Sequence, residues 1–400
     1  MAQFIEGEQV EITRRRVQLA GLAVIGLTTA MAVPAHATAQ HVTSKQAKLA
    51  AVSSTIQVVA SGLNTPRGVT YDARNHRVLV AEAGSAAGDT GPCGTGEGGT
   101  VLCHGPTASV FSYSTISGAQ SRIITGLASE APPDGSFVLG LSDLSVFNGH
   151  LNGVFNLLGT PDTRSAEGPD AAALGTAARL DLSGTATPFA DIAGFEVQKY
   201  GADQESDAYG LVTGGYGTVV ANAGGHSVQP DGIGGNDLLL VKHDGTISQI
   251  AAFPQRVPAA NAKDIVESVP TAVAQGPDGA FYVGELTGFP YYPGEARVWR
   301  VVPGEQPTVF AQGFTNIIDV TFDHEGRLLV LEIAKNGLLD PDQTGALIRV
   351  GHNGQQTVLA STGLTNPGGA VEVGRGVFYI TNFTQSTGGT GELLKVTVHG

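Results

Sequence analysis

Basic residues are scarce in this chain: 22 Lys and Arg stand against 36 Asp and Glu, a net charge of −14. A surface of that sign has no counter-charge for a phosphodiester backbone or anionic lipid headgroups, so no nucleic-acid partner and no membrane insertion of the mature chain are expected. Cysteine is scarcer still, with Cys93 and Cys103 the whole complement. Two thiols and the neighbouring His104 are too few ligands for zinc, and the spacing is too wide for a Cys-x-x-Cys redox pair. In an exported chain they are expected to form a disulfide, contributing about 3 kcal/mol by loop entropy.

Reaction motifs are missing as well. The sequence contains no Gly-x-Ser-x-Gly elbow, no His-Glu-x-x-His and no P-loop. Gly94-x-Gly96-x-Gly98 sits in a loop with no strand before it and no helix after it, so no nucleotide cofactor is expected. Gly234-Gly235-Asn236-Asp237 resembles a calcium-binding nonapeptide, but that motif works in tandem and occurs here once. Without His clusters, an oxygen-ligated cation is favoured over zinc or copper.

What is present begins with an export signal over residues 1–37. Arg14-Arg15-Arg16 precede the apolar run Val17–Ala32, and Ala35-His36-Ala37 fits a small-x-small cleavage site. Sec and twin-arginine export both suit this segment, so the mature protein is expected to be secreted, periplasmic or in the cell envelope. Residues 38–54 read as a linker.

The rest, 55–400, is a repeat array. Ala272-Val-Ala, the turn Gly276-Pro-Asp-Gly279 and Ala280-Phe-Tyr-Val283 form a hairpin that returns around His324-Glu-Gly326. Glu285 and Glu332 lie 47 residues apart, and Glu332 and Asn382 50. A period of that size built from short strands predicts an all-β fold, a six-bladed β-propeller whose blades each hold strands a to d. The last blade lacks a d strand at the C-terminus. Thr55-Ile-Gln-Val-Val-Ala60 matches the other d strands, so an N-terminal strand is expected to complete the last blade. A monomer is expected.

The a–b and c–d turns are short, whereas the b–c and d–a connections are long and emerge on one face. Two rings of polar or small residues should converge there. The b-strand ends supply Glu82, Asn156, Asn222, Glu285, Glu332 and Asn382. The a-strand starts supply Gly68, Asp143, Gly210, Ala272, Asp319 and Gly369, whose small members would leave the channel mouth open. These carboxylates and amides either hold Ca²⁺ or Mg²⁺ or cap the turns of their own blades. Asp143 and Asp319, in blades 2 and 5, are expected to face each other across the axis and are the candidate catalytic carboxylates. Asp237 and His226 are weaker candidates. Phe289, Tyr291 and Tyr292, an aromatic loop of blade 4, are either core packing or a ligand-binding wall suited to an aromatic or apolar molecule.

Ser268-Val-Pro-Thr-Ala-Val-Ala-Gln-Gly-Pro-Asp-Gly-Ala-Phe-Tyr-Val-Gly-Glu-Leu-Thr-Gly-Phe-Pro290 resembles the ScyD/ScyE family of exported bacterial propellers with NHL-like repeats. Gly313–Val320, Leu331–Leu339 and Gly345–Val350 carry the same likeness, which extends over 55–398. The resemblance implies the propeller fold and export. Two functions stay open. One is a propeller that binds a small molecule, glycan or peptide on its long-loop face. The other is a metal-dependent enzyme, hydrolysing a lactone or coupling an aromatic substrate at the channel mouth, with Asp143 or Asp319 as general base.

Overall fold

A computed structural model describes residues 50–224, 235–258 and 264–399. The export segment 1–37, the linker as far as residue 49 and His226 lie outside them. Strand alternation and tight turns dictate the local structure. In blade 4, Pro270–Gln275, Phe281–Glu285, Ala296–Val301 and Thr308–Phe314 pair antiparallel in chain order. The first turn closes because Gly279 adopts φ +80°, which disfavours any side chain, and Asp278 Oδ1 accepts from Ala280 N at 3.2 Å. Asp323 does the same in blade 5, accepting from Glu325 N and Arg327 N at 3.0 and 2.8 Å.

Six such sheets make the ring. The first opens on Pro66–Asp72, the second on Leu141–Phe147, the third on Ala208–Gly214, the fifth on Ile317–Phe322 and the sixth on Ala370–Gly374. Sheets alone bury too little, so the core lies between blades. Val154 of blade 2 packs with Leu211 and Val220 of blade 3, and Leu331 and Leu347 of blade 5 pack with Ile380 and Leu394 of blade 6.

Ser53–Leu63 is the outer strand of blade 6. It runs antiparallel to Gly391–His399, from Ser53 opposite His399 to Leu63 opposite Gly391. The N-terminal strand therefore closes the ring. Pairing starts before residue 55, however, because Ala50–Ala51 run parallel to blade 5's Gln356–Ala360. The tail of the expected linker is thus laid along a second sheet edge.

Blade 1 departs from the pattern. Its c and d strands, Val101–Ser114 and Gln120–Ala131, are long and rise over the long-loop face. Cys93–Thr95 pairs with the first of them, and the Cys93–Cys103 disulfide joins directly opposed residues.

Candidate functional site

Five of the six a strands begin with an irregularity. Pairing with the b strand slips between Pro66 and Val69, Leu141 and Asp143, Ala208 and Gly210, Pro270 and Ala272, and Ile317 and Asp319. Such a bulge inserts a residue and re-aims its side chain. The inserted positions hold Arg67, Ser142, Tyr209, Thr271 and Ile318, and four of these line a cavity of about 70 Å³ at the long-loop mouth. Phe137, Val138, Leu286, Ile333 and Leu338 supply its apolar wall.

Its polar side is built around Arg67. One guanidinium nitrogen donates to Tyr209 Oη at 2.9 Å and the other to Val138 O at 3.2 Å, with the guanidinium 5.9 Å from the Tyr209 ring centroid. Burial pushes the Tyr209 phenol up, so it remains a neutral hydroxyl. Asp207, also on the lining, accepts from Asn156 Nδ2 at 2.6 Å. Burial raises its carboxyl to about 6 despite that hydrogen bond and the Arg67 charge. Four polar atoms of the lining residues are buried without a partner: Arg67 Nε, Tyr291 Oη, Thr384 Oγ1 and Ser386 Oγ.

Among the described residues, Tyr291 is the expected site residue that lines this cavity. It is 1 % exposed and sits at φ +62°, just after the cis Phe289–Pro290 bond. Phe289 packs edge-on against its ring at 6.0 Å and reaches solvent, and Tyr292 hydrogen-bonds Asp264.

The b-strand ring has a different task. Glu82 accepts from Asn64 N at 2.7 Å, Glu332 from Thr315 N at 2.7 Å and Asn382 from Thr365 N at 2.7 Å. Glu285 takes the Ser268 hydroxyl at 2.6 Å and Asn222 the Ser206 hydroxyl at 2.9 Å. In each case the donor stands in the loop that leads into the same blade. Glu82 also receives Arg122 through two nitrogens, both at 2.7 Å, and Glu285 receives Arg256 at 2.5 Å and Trp299 Nε1 at 2.9 Å. These side chains are committed to capping.

Asp143 and Asp319 staple neighbouring blades. Asp143 Oδ2 accepts from Leu211 N of blade 3 at 3.0 Å, and Asp319 Oδ2 from Ala370 N of blade 6 at 2.8 Å. Both are half-buried. Burial raises Asp143 to about 7, and burial together with the Asp143 charge raises Asp319 well above the carboxylate range. The Asp143 charge is thus one cause of the Asp319 shift. The small members of their ring do not open the channel. A Cβ on Gly68 would meet Asp143 Oδ1 at 2.0 Å, one on Gly210 would meet Thr271 O at 2.7 Å, and one on Gly369 would meet Val69 N at 3.0 Å. Glycine there lets the inner strands approach closely.

This donor set does not fit Ca²⁺ or Mg²⁺. Calcium wants about six to eight oxygens. Most of the ring carboxylates and amides accept from backbone amides, serine hydroxyls, an indole or guanidinium groups, Asn156 Oδ1 being buried without a partner, and no group of three or more His, Cys, Asp or Glu suited to a metal occurs among the described residues. Asp237 likewise accepts from Gln249 at 2.7 Å.

Two buried acids had no signal in the sequence. Glu130 accepts from Leu158 N at 2.8 Å, and burial lifts it to about 7. Glu167 beside it reaches about 10 through burial and the Glu130 charge.

No protein-family model and no curated protein matches the chain. Solved structures do. A candidate gluconolactonase superposes with a TM-score of 0.50 at 12 % identity, covering 88 % of this chain and 94 % of that one. A gluconolactonase from Xanthomonas campestris gives 0.46 at 13 % identity over 86 % and 98 %. The soluble aldose sugar dehydrogenase of Escherichia coli gives 0.47 at 12 % over 87 % and 100 %. Identities this low speak to architecture alone. The chain is an all-β, six-bladed β-propeller.

Proposed function

We propose that this is an exported binding propeller of the ScyD/ScyE type, holding a small apolar or aromatic molecule with one anionic group in the axial cavity. The observation that carries the reading is the cavity's mismatch. About half of its lining is apolar, yet Arg67 Nε, Tyr291 Oη, Thr384 Oγ1 and Ser386 Oγ are buried there without partners. Unpaired buried polar groups cost about 1–3 kcal/mol each, so a ligand that satisfies several of them gains correspondingly. Arg67 would take the anionic group and the apolar wall the ring.

Calorimetric titration with benzoate, and with benzamide as the neutral counterpart, tests this. Benzoate should bind more tightly. Arg67→Ala should weaken it by about tenfold or more, the worth of one charge-assisted hydrogen bond. Equal affinities for benzoate and benzamide, or an Arg67→Ala protein that binds like wild type, defeat the proposal.

One observation favours an enzyme as second reading. Asp207 on the cavity lining sits at about 6, close to where a general acid–base must work. Hydrolysis of an aryl or sugar lactone would then depend on Asp207 rather than on Asp143 or Asp319. Turnover of such lactones that falls in Asp207→Asn but survives Asp143→Asn would establish it.

A further inference from the structure

A second cleft lies on the opposite face, between blades 2 and 3, where the short turns emerge. It measures about 510 Å³, and its lining includes Arg179, Lys242, His150 and His243 and no Asp or Glu. That is unusual for a chain with a net charge of −14. Arg179 and Lys242 are exposed, and neither has an acidic partner within salt-bridge reach among the described residues. Arg74 of blade 1 adds to the rim, with a guanidinium nitrogen 3.2 Å from where a Cβ on Gly149 would stand. The nearest acid in the turn, Asp244, accepts from Thr246 N at 3.0 Å.

Positive charge alone would suit any anion, but a second feature narrows the ligand. Asn152, 4 % exposed, lines the cleft and donates through Nδ2 to Thr213 Oγ1 at 3.2 Å, while its Oδ1 is buried with no partner. Turning the amide round only exchanges which atom is left over. An unpaired amide beside cations asks for a ligand that carries hydroxyls as well as a negative charge. Phe147 and Phe189, both half-buried, provide flat apolar faces for a ring of C–H groups.

We propose that this cleft binds an acidic sugar. Arg179 and Lys242 take its anionic group, Asn152 takes a hydroxyl, and the phenyl rings take one face of the sugar. The site is separate from the mouth cavity, which opens at the other end of the disc.

Calorimetric titration of the mature protein with glucuronate, glucose 6-phosphate, glucose and inorganic phosphate tests it. Both acidic sugars should bind saturably, and glucose and phosphate should each bind about tenfold or more weakly, since each lacks half of the recognition. Added salt should weaken the acidic sugars. The double variant Arg179→Ala/Lys242→Ala, exposed positions whose folding is checked by its melting temperature, should lose that binding, and Arg67→Ala should keep it. A carboxylate preference over phosphate, or the reverse, tells which acid the cleft takes. No saturable binding of either acidic sugar overturns the proposal. So does glucose or phosphate matching them, the double variant binding normally, or the loss appearing in Arg67→Ala instead.

Discussion

Two polar rings face the same end of the disc and do opposite things. The ring at the b-strand ends is regular: one Glu or Asn per blade, with five of the six taking a donor from the loop entering the same blade. The ring at the a-strand bulges is irregular, with Arg67, Ser142, Tyr209, Thr271 and Ile318, and most of it lines the cavity. A residue type that recurs once per blade answers a need every blade has. Residues that differ from blade to blade at one geometric position are free to build a site.

The widest break in that comparison would come from removing the scaffold that both rings share. Starting the chain at residue 64 deletes the Ser53–Leu63 strand, uncovers the edge of Gly391–His399 and removes the buried Ala60 and Leu63. Loss of cooperative unfolding and aggregation are expected, read by light scattering and thermal melting. A variant that melts like the full mature chain would show that closure is dispensable.

Within the regular ring, Glu285→Ala should be the costliest substitution. Glu285 is fully buried and its partner Arg256 nearly so, and removing one member of a buried pair costs about 3–5 kcal/mol. Chemical denaturation measures it. A loss below about 1 kcal/mol, the range of an exposed pair, would mean that the cap is not structural.

The fold was legible because its signals are local. The turns Gly276-Pro-Asp-Gly279 and His324-Glu-Gly326 and their spacing need no knowledge of distant contacts, and Thr55–Ala60 declares itself a d strand by likeness to Thr308–Phe314. The site was not legible, for a physical reason. Strict alternation assigns Arg67, Tyr209 and Thr271 to whichever face the pleat dictates, and a bulge defeats that parity. Gly68, Gly210 and Gly369 read as space, whereas a neighbouring strand or the Asp143 side chain fills it. The acceptor roles of Asp143 and Asp319 depend on amides some 50 to 70 residues away in the next blade. Of the expected site residues, Tyr291 reaches the cavity, through a backbone turn that composition does not announce.

Smaller effects sharpen the comparison. Glu332 in the regular ring and Asp143 beside Leu211 of the next blade are raised to about 7, and Asp207 on the cavity lining to about 6, all chiefly by burial. A folded value above the unfolded one of about 4 means the native state holds the extra proton. Its contribution is complete below about pH 4 and is lost as pH rises towards 7. Melting temperature should therefore climb as pH falls from about 8 to 5. Asp143→Asn should flatten part of that slope and leave stability at pH 8 equal or higher. A slope of opposite sign, or one unchanged in the variant, would remove the buried acids from the account.

The most direct test sets the two rings against each other in one titration. Benzoate binding is measured by calorimetry for wild type, Arg67→Ala and Glu332→Gln, with each variant's melting temperature recorded alongside. The account predicts that Arg67→Ala weakens benzoate binding by about tenfold or more, whatever its effect on melting, whereas Glu332→Gln shifts melting and leaves affinity alone. The reverse assignment, with affinity following Glu332 and not Arg67, would contradict it.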